Sequence, residues 1–197
     1  LAVLEAIDRE RVSDLFLVPT MLRMLVDHPR FEDFDTRSVR RIRYGASPMD
    51  GGLMDRAIAA FPEAGFSQAY GMTELSPIAT VLDPDDHGPE ARASGTLRTA
   101  GRPTATTELR IVDADDNELP RGEVGEIVVR RRGTWFATRD LGHIDRDGYF
   151  FHAGRADDVI ISAGWTLSAV EIEDCLLQHG DVDEVAVIGV RDSVRGQ

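Results

Sequence analysis

Apolar residues in the first part of the chain alternate between short runs and a stripe at helical spacing. The runs 14–18, 41–44 and 65–70 predict three strands, the first of them buried. A stripe with spacing i, i+3, i+4 and i+7 predicts one apolar helix face between the second and third strands. Its members are Met54, Ala57, Ile58 and Phe61. This alternation of strand and helix is typical of an α/β unit.

The start of this helix is expected at Ser47, whose side chain suits a helix N-cap, with Pro48 at the first helical position. The turn Gly45-Ala46-Ser47 consists of small residues, so a flat ligand could lie against its backbone. A helix N-terminus also favours anionic groups. Turns from a strand through glycine into a helix are common, however, and a purely structural role stays open.

The pattern changes after residue 82, where a polar, turn-rich stretch begins. Strand then follows strand, with clear runs at 108–112, 126–130 and 149–152. We interpret residues 131–136, which lead towards Asp140, as a surface loop. The order of these elements predicts a small β-barrel or sandwich subdomain.

The last part of the chain has a third pattern. The run 159–161 predicts a strand, Ser168 is expected to cap a helix that ends at His179, and the run 185–190 predicts another strand. Cys175 falls inside this helix, where a small buried side chain is a better interpretation than a nucleophile. These elements predict the start of a small α+β domain.

Composition narrows the class of protein. Hydrophobic residues make up 42% and charged residues 29% of the 197 positions, an ordinary globular balance. The formal net charge of -13 leaves no basic excess to displace counterions from nucleic acid. A single cysteine excludes an intrachain disulfide and favours a reducing compartment. No apolar stretch is long enough to span a bilayer, so we expect a cytoplasmic protein without a membrane span.

Residues 70–74 combine three kinds of side chain that a nucleotide site needs. The ring of Tyr70 can stack on a base, the hydroxyl of Thr73 can contact a phosphate, and the carboxylate of Glu74 can hold magnesium. Mg²⁺ favours one or two carboxylates together with substrate phosphates over a full protein cage. From these five residues alone, an exposed turn with an ordinary tyrosine is an equally good interpretation.

Two further charged residues fit the sugar of a nucleotide. The carboxylate of Asp140 can accept hydrogen bonds from two vicinal hydroxyls, as acidic residues do on a ribose. The guanidinium of Arg155 offers several donors to ribose or phosphate oxygens. A loop aspartate on a turn and a solvated charged turn are the alternatives.

Taken together and in this order, residues 70–74, 138–142 and 154–160 resemble the adenylate-forming enzymes. These include acyl-CoA synthetases, the adenylation domains of peptide synthetases, and luciferases. The resemblance runs from about residue 12 to the last residues. It implies that Tyr70 stacks on adenine, Thr73 contacts the α-phosphate and Glu74 holds magnesium. The remaining residues of this nucleotide site are Gly45, Ala46, Ser47, Gly71, Asp140 and Arg155.

The resemblance also implies roles in a second half-reaction. Asp157 matches the hinge about which the small domain rotates, and Gly164 matches a glycine near the thioester-forming site. Trp165 either lines the tunnel for the thiol or packs on the interdomain face. The chain departs from the family pattern at Arg139, where glycine is usual, and in a shorter segment before Asp140.

By this resemblance, residues 1–90 form the rear of a large α/β nucleotide-binding subdomain, 91–155 a β-barrel subdomain, and 156–197 the start of a mobile C-terminal domain. The expected function is that of a carboxylic acid:CoA ligase, of the kind found in fatty acid metabolism, with ATP, CoA and Mg²⁺. A peptide-synthetase adenylation domain and a non-catalytic folded fragment are the alternatives, and homo-oligomerisation stays open.

The family uses two lysines, one in a phosphate loop and one near the C-terminus. The 197 residues contain neither segment, and no lysine is present that could take either role. We therefore expect these residues alone to show little or no adenylating activity.

Overall fold

The computed structural model describes residues 1–47, 49–131, 133–156, 160–162, 165–167, 169–179, 181–182 and 185–190. The chain divides into two compact units, Leu1–Arg102 and Pro103–Gln197. The division expected from the sequence, with limits at residues 90 and 155, stays a prediction. None of the helices in the described ranges is both long enough and apolar enough to cross a membrane.

The first unit is built on a five-stranded sheet in the order β1-β2-β3-β4-β5. The first three strands run parallel, and β4 runs antiparallel to β3. The strands are β1 (Asp14–Leu17), β2 (Arg41–Gly45), β3 (Gly65–Gly71), β4 (Ile78–Leu82) and β5 (Arg102–Pro103). The helices are α1 (Ala2–Glu10), α2 (Pro19–Val26), α3 (Gly51–Ala60) and α4 (Pro89–Ser94). The predicted α/β character is confirmed.

Two details of the first unit were predicted wrongly. Strand β1, at the edge of the sheet as described, is buried only in part: Leu17 points into the core, whereas Phe16, on the opposite face, is 62% exposed. Helix α3 begins at Gly51, not after Ser47, because the Oδ1 atom of Asp50 accepts a hydrogen bond from the Leu53 backbone N–H at 2.8 Å. Both residue types are good N-caps, and Asp50 takes this role. Pro48 lies outside the described residues.

Helix α3 packs on the sheet through the face that its spacing predicts. Met54, Ala57 and Phe61 are buried in the core of the unit, and Ile58 packs against it. Other core residues come from both helices and strands: Leu4, Ile7, Leu22, Ile42 and Phe66. Removing each such side chain from water contributes about 1.5–3 kcal/mol, which makes this cluster the main source of stability for the unit.

The second unit is dominated by an antiparallel four-stranded sheet in the order β6-β7-β8-β9. Its strands are β6 (Glu108–Val112), β7 (Gly125–Arg131), β8 (Thr134–Ile144) and β9 (Phe150–Arg155). A hairpin of β10 (Ile160–Ser162) and β11 (Trp165–Leu167) follows, and then helix α5 (Ala169–Leu176). The predicted run of strands is confirmed. In the part of the chain that the structure describes, the four-stranded sheet is open, with β6 and β9 at its edges.

Several sequence predictions for the second unit are wrong. Residues 134–136 belong to strand β8 and not to a loop, because their pairing with β7 already begins at Thr134, opposite Arg131. Residues 185–190 form no strand, and Ile188 is 77% exposed, since no strand among the described residues pairs with this apolar run. Cys175 is exposed, not buried. The predicted cap Ser168 lies outside the described residues.

A buried polar pair lies in the first unit, next to the end of strand β2. The Tyr44 hydroxyl is 3.0 Å from His87 Nε2, and His87 Nδ1 is 2.8 Å from the Asp83 carbonyl oxygen. Both side chains are buried. Burial lowers the pKa of His87, although the backbone carbonyl of Asp83 and the nearby charges of Asp86 and Asp83 oppose this effect. Burial also raises the pKa of Tyr44. The pair is therefore neutral in the folded protein at neutral pH.

The lowered pKa of His87 makes stability depend on pH. The unfolded chain binds a proton near pH 6.5 that folded His87 resists, so the free energy of unfolding is expected to fall as pH drops through 6.5. Denaturant midpoints at pH 8, 6.5 and 5.5 measure this. His87→Gln is expected to reduce the slope over this range, whereas the matched control His179→Gln, at an exposed position, is expected to leave it. An unchanged slope in His87→Gln contradicts the interpretation.

Candidate functional site

The carboxyl ends of strands β2 and β3 lie side by side in the first unit. The two strands are parallel, with Gly45 opposite Ala69, so the turn Gly45-Ala46-Ser47 emerges at the same edge as Tyr70. A Cβ atom at Gly45 would lie 2.2 Å from the Ala69 carbonyl oxygen, which only glycine avoids. Ligands of open α/β sheets bind at the carboxyl ends of the strands. The structure thus brings two of the predicted motifs together.

The turn after β2 exposes its backbone. Ala46 has a φ of 69°, in the left-handed region that a non-glycine residue adopts at a cost of about 1–2 kcal/mol. Ala46 and Ser47 are both exposed. Such strain is concentrated at binding and catalytic sites, which agrees with a ligand-contacting turn.

The segment after Tyr70 is held by close backbone packing. Strand β3 ends at Gly71, where a Cβ atom would lie 1.9 Å from the Pro77 carbonyl oxygen, so only glycine fits. A single 3₁₀ turn, Thr73–Leu75, then returns the chain to β4, and Leu75 is buried beneath it. Tyr70 is half-buried, whereas Thr73 and Glu74 are exposed. The turn therefore presents a hydroxyl and a carboxylate to solvent from a fixed backbone.

Glu74 and Thr73 fit a magnesium ion that is bound mainly through a nucleotide. They supply one carboxylate and one hydroxyl on neighbouring positions of the same turn. Within the described ranges, no three His, Cys, Asp or Glu side chains group to form a metal site. Magnesium commonly takes one or two carboxylates and completes its octahedron with water and substrate phosphates. This donor set suits that arrangement.

Asp140 lies in the second unit on strand β8, so the alternative of a loop aspartate on a turn is wrong. Asp140 is 5% exposed, and a buried carboxylate needs charged or hydrogen-bonding partners. Arg155 is its cross-strand partner on β9 and donates a hydrogen bond from Nη1 to Asp140 Oδ1 at 3.2 Å. The predicted ribose residues Asp140 and Arg155 are thus directly paired.

A bulge in strand β8 presents this carboxylate. Glu126 of β7 pairs with Leu141 and Val128 pairs with Ala137, so residues 138–140 bulge opposite one residue of β7. The Thr138 hydroxyl donates to the Ile127 carbonyl oxygen at 2.8 Å and accepts from the Asp140 N–H at 3.1 Å. The Thr138 hydroxyl thereby supplies hydrogen bonds to two backbone groups at the point where the bulge interrupts the strand pairing.

Arg139 is the middle residue of the bulge, and its backbone has a positive φ. Its φ is 62°, in the left-handed region that glycine adopts most easily. Its N–H donates to Glu126 Oε1 at 3.2 Å, and its carbonyl oxygen accepts from the Ala156 N–H at 2.7 Å. Arginine therefore adopts a conformation that favours glycine, at the position where the family that the motifs resemble usually has glycine.

Of the three predicted residues of the thioester step, only one has a described backbone. Asp157 and Gly164 lie outside the described residues. The backbone of Trp165 belongs to strand β11 and pairs with Ser162 of β10. Their expected roles at a hinge and near a thioester-forming site stay predictions.

One polar neighbour of Asp140 was missed by the sequence analysis. His152 Nε2 lies 3.8 Å from Asp140 Oδ2, on strand β9. In a regular strand, residues three apart point to opposite faces, so the sequence gives no sign that His152 and Arg155 approach the same carboxylate. Only the register of the strands reveals this.

Comparison with known proteins identifies the class of this chain. The family model described as AMP-binding enzyme matches residues 1–135, so the chain belongs to the family of AMP-binding enzymes. This confirms the resemblance to adenylate-forming enzymes that the motifs indicate.

The chain is 34% identical over 218 residues to feruloyl-CoA synthase from an Amycolatopsis species, covering all of this chain and 42% of that protein. Among solved structures, it is similar to the amide bond synthetase McbA from Marinactinospora thermotolerans, with a TM-score of 0.88 and 34% identity over 99% of this chain and 42% of that one. It is also similar to an anthranilate CoA ligase in complex with anthranoyl-AMP, with a TM-score of 0.82 and 29% identity over 98% and 39% of the two chains. It thus spans about two-fifths of the length of these relatives.

The left-handed conformation of Arg139 leads to a stability prediction. Arg139→Gly is expected to raise the free energy of unfolding by about 0.5–1 kcal/mol, because glycine removes the steric cost of positive φ but loses more chain entropy on folding. Denaturant unfolding of the purified chain measures this. The matched control Arg139→Ala removes the same side chain and keeps a Cβ atom, so it is expected to show no such gain. Equal stability of the glycine and alanine variants would contradict the assignment of strain.

Proposed function

We propose that this chain is part of an ATP-dependent acid–thiol ligase that forms an acyl-adenylate and then a thioester. Membership of the AMP-binding enzymes supports this class of chemistry. The observation that carries the proposal is the buried carboxylate of Asp140, presented by a bulge and paired with Arg155. Burial of a carboxylate at a strained bulge adds little to stability, because desolvation offsets much of the gain from the ion pair. A binding role is therefore the better explanation of this arrangement.

The proposed reaction has two steps. A carboxylate oxygen of the acid attacks the α-phosphorus of ATP, an oxygen–phosphorus bond forms, and the bond to the departing pyrophosphate breaks. The sulfur of a thiol then attacks the acyl carbon, the bond from that carbon to the phosphate oxygen breaks, AMP leaves with the bonding electron pair, and the thiol proton is released. Charge that develops on the phosphate oxygens in the first step needs donors or a cation held close to it.

We assign the base and phosphate contacts to the first unit. Tyr70 stacks on adenine, and the small turn Gly45-Ala46-Ser47 with Gly71 lets the ring lie against backbone. The exposed hydroxyl of Thr73 contacts the α-phosphate. Glu74 would hold magnesium, and the ion would supply neutralisation of the charge on the nucleotide phosphates. The fixed 3₁₀ turn and its buried Leu75 support these roles, since they hold the donors in position.

We assign the ribose to Asp140 and Arg155 of the second unit. A carboxylate offers about four lone-pair sites, so Asp140 can keep its bond from Arg155 and still accept from both ribose hydroxyls. The guanidinium of Arg155 has further donors for ribose or phosphate oxygens, and its side chain is 43% exposed.

The thioester step is assigned by family resemblance. Asp157 is proposed as the hinge, and Gly164 and Trp165 as part of the region where the thiol reacts. CoA is proposed as the acceptor, since feruloyl-CoA synthase and the anthranilate CoA ligase are named for it. A carrier-protein thiol is the second candidate, favoured by similarity to a fatty acid–acyl-carrier-protein ligase of Streptomyces coeruleorubidus. We further propose a cytoplasmic location.

Calorimetric titration with a 5′-O-(acylsulfamoyl)adenosine tests the adenosine site, because this mimic has a sulfamoyl group in place of the phosphate of an acyl-adenylate and does not release AMP by hydrolysis. Asp140→Ala is expected to weaken binding about tenfold to a hundredfold, the usual effect of losing charged hydrogen bonds. The matched control Glu123→Ala removes an exposed carboxylate of the same unit and is expected to leave affinity unchanged.

Two outcomes contradict the proposal. If the folded chain, checked by circular dichroism, binds no mimic at all, the alternative of a non-catalytic folded fragment is favoured. If the mimic binds but Asp140→Ala and Glu123→Ala behave alike, the assignment of Asp140 to the ribose is wrong. Pyrophosphate release by the same preparation measures whether these 197 residues turn over ATP, which we predict they do not.

A further inference from the structure

A buried hydrogen bond lies directly before the turn Gly45-Ala46-Ser47, which the proposed function assigns to adenine and which we call the adenine turn. Tyr44 immediately precedes Gly45, the last residue of β2, and its hydroxyl lies 3.0 Å from His87 Nε2. Both side chains are buried. His87 belongs to the 3₁₀ turn Pro84–His87, which follows β4 and packs against β3. The bond therefore ties the end of β2 to a segment that is packed on the neighbouring strand.

The direction of this hydrogen bond follows from the second nitrogen of the imidazole. His87 Nδ1 lies 2.8 Å from the Asp83 carbonyl oxygen, which can only accept a hydrogen bond, so Nδ1 carries the proton. In the neutral ring Nε2 is then the acceptor, and the Tyr44 hydroxyl donates to it. The hydroxyl is thus oriented by a ring that the backbone of Asp83 itself orients.

Polar side chains are not required to fill this part of the core. Ile42 lies two residues earlier on β2 and on the same face as Tyr44, and it is completely buried and apolar. A buried hydrogen-bonded pair adds little more to stability than apolar side chains of the same shape, but a donor or acceptor that loses its partner there is costly. Such a pair therefore favours one geometry strongly, which suits it to fix the end of β2.

The adenine turn depends on where β2 ends. Its side chains are small, so most of its polar groups are backbone N–H and C=O groups. The helix that follows it is held separately, because Asp50 caps α3 through Oδ1 and accepts a hydrogen bond from Arg23 Nη2 through Oδ2 at 2.7 Å. With the start of α3 fixed in this way, a shift at Tyr44 is taken up by the adenine turn.

We propose that the Tyr44–His87 pair positions the adenine turn and thereby sets the preference of the site for adenine over other bases. The proposal rests on the proposed function, in which the base lies against this turn. Adenine carries an amino group at position 6, where hypoxanthine carries a carbonyl oxygen. Backbone donors and acceptors distinguish these two bases only when they are held in one position, because a backbone that can shift can pair with either base.

Calorimetric titration with two probes, 5′-O-(acylsulfamoyl)adenosine and its inosine analogue with the same acyl group, tests this. Wild type is expected to bind the adenosine probe about tenfold more tightly, the effect of one hydrogen bond gained or lost at the base. Tyr44→Phe removes a single oxygen atom and is expected to lower this ratio about threefold to tenfold, because the turn is no longer held. Asp140→Ala acts on the ribose, which both probes share, so it is expected to weaken both and to leave the ratio unchanged.

Ile42→Val is the matched control, because it removes buried volume from the same face of the same strand without removing a polar group. It is expected to lower the denaturant midpoint and to keep the wild-type ratio. The double variant Tyr44→Phe/His87→Leu removes both polar partners, and the Asp83 carbonyl oxygen keeps its hydrogen bond from the Asp86 N–H at 3.0 Å. It is expected to regain part of the stability that Tyr44→Phe loses but not the base preference.

Every variant is checked for folding by circular dichroism, and the double variant carries the test if Tyr44→Phe does not fold. A wild type without base preference, an unchanged ratio in Tyr44→Phe, or a double variant that regains the ratio together with its stability would overturn the proposal. If the folded wild type binds neither probe, the proposed function itself fails. If Asp140→Ala weakens both probes and the Tyr44 variants keep the ratio, the proposed function stands and the role of the pair is wrong.

Discussion

The second unit is organised around the burial of one negative charge. Asp140 is almost fully removed from solvent, and an unpaired carboxylate in that position would cost several kcal/mol. Arg155 compensates from the adjacent strand, and the Thr138 hydroxyl binds the Asp140 backbone. The bulge of residues 138–140 makes this possible, because it turns the carboxylate out of the regular ladder while side chains satisfy the interrupted backbone groups. A bulge in β9 then adds His152 on the other oxygen.

The first unit meets a different constraint, the close approach of backbone segments at one edge of its sheet. Gly45 lies against Ala69, and Gly71 lies against Pro77, at distances that leave no room for a side chain. These contacts fix where the chain leaves β2 and β3. The exposed groups of Thr73 and Glu74 lie on the 3₁₀ turn that follows the close contact at Gly71, above the buried side chain of Leu75. Such preorganisation is what a phosphate and metal site requires, since donors that are already in position need no reorganisation during the reaction.

The parts of the fold that could be predicted are those in which one short-range rule dominates. The stripe through Met54, Ala57 and Phe61 identified the buried face of α3, because helical periodicity survives in any tertiary context. The family was also identifiable, since the side-chain chemistry of the three motifs and their order along the chain are specific. The α3 boundary was missed because both Ser47 and Asp50 can cap a helix, and local sequence does not decide between them.

The parts that could not be predicted depend on partners distant in sequence. The apolar run at 185–190 has the composition of a strand, but a strand needs a neighbour, and none pairs with it in the described structure. Strand β8 was missed at its start because its pairing with β7 begins at Thr134, opposite the last residue of β7. His152 was missed because a bulge reverses its face, and a bulge is a property of the register between two strands.

The central claim is that the Asp140 carboxylate, held by Arg155, binds the ribose of an adenylate. A crystal structure of this chain with a bound 5′-O-(acylsulfamoyl)adenosine tests it most directly. The account predicts both ribose hydroxyls within hydrogen-bond distance of the Asp140 carboxylate oxygens, with the Arg155 pair retained. An adenosine bound with its ribose away from Asp140, or a carboxylate that turns away from the sugar, would contradict the account.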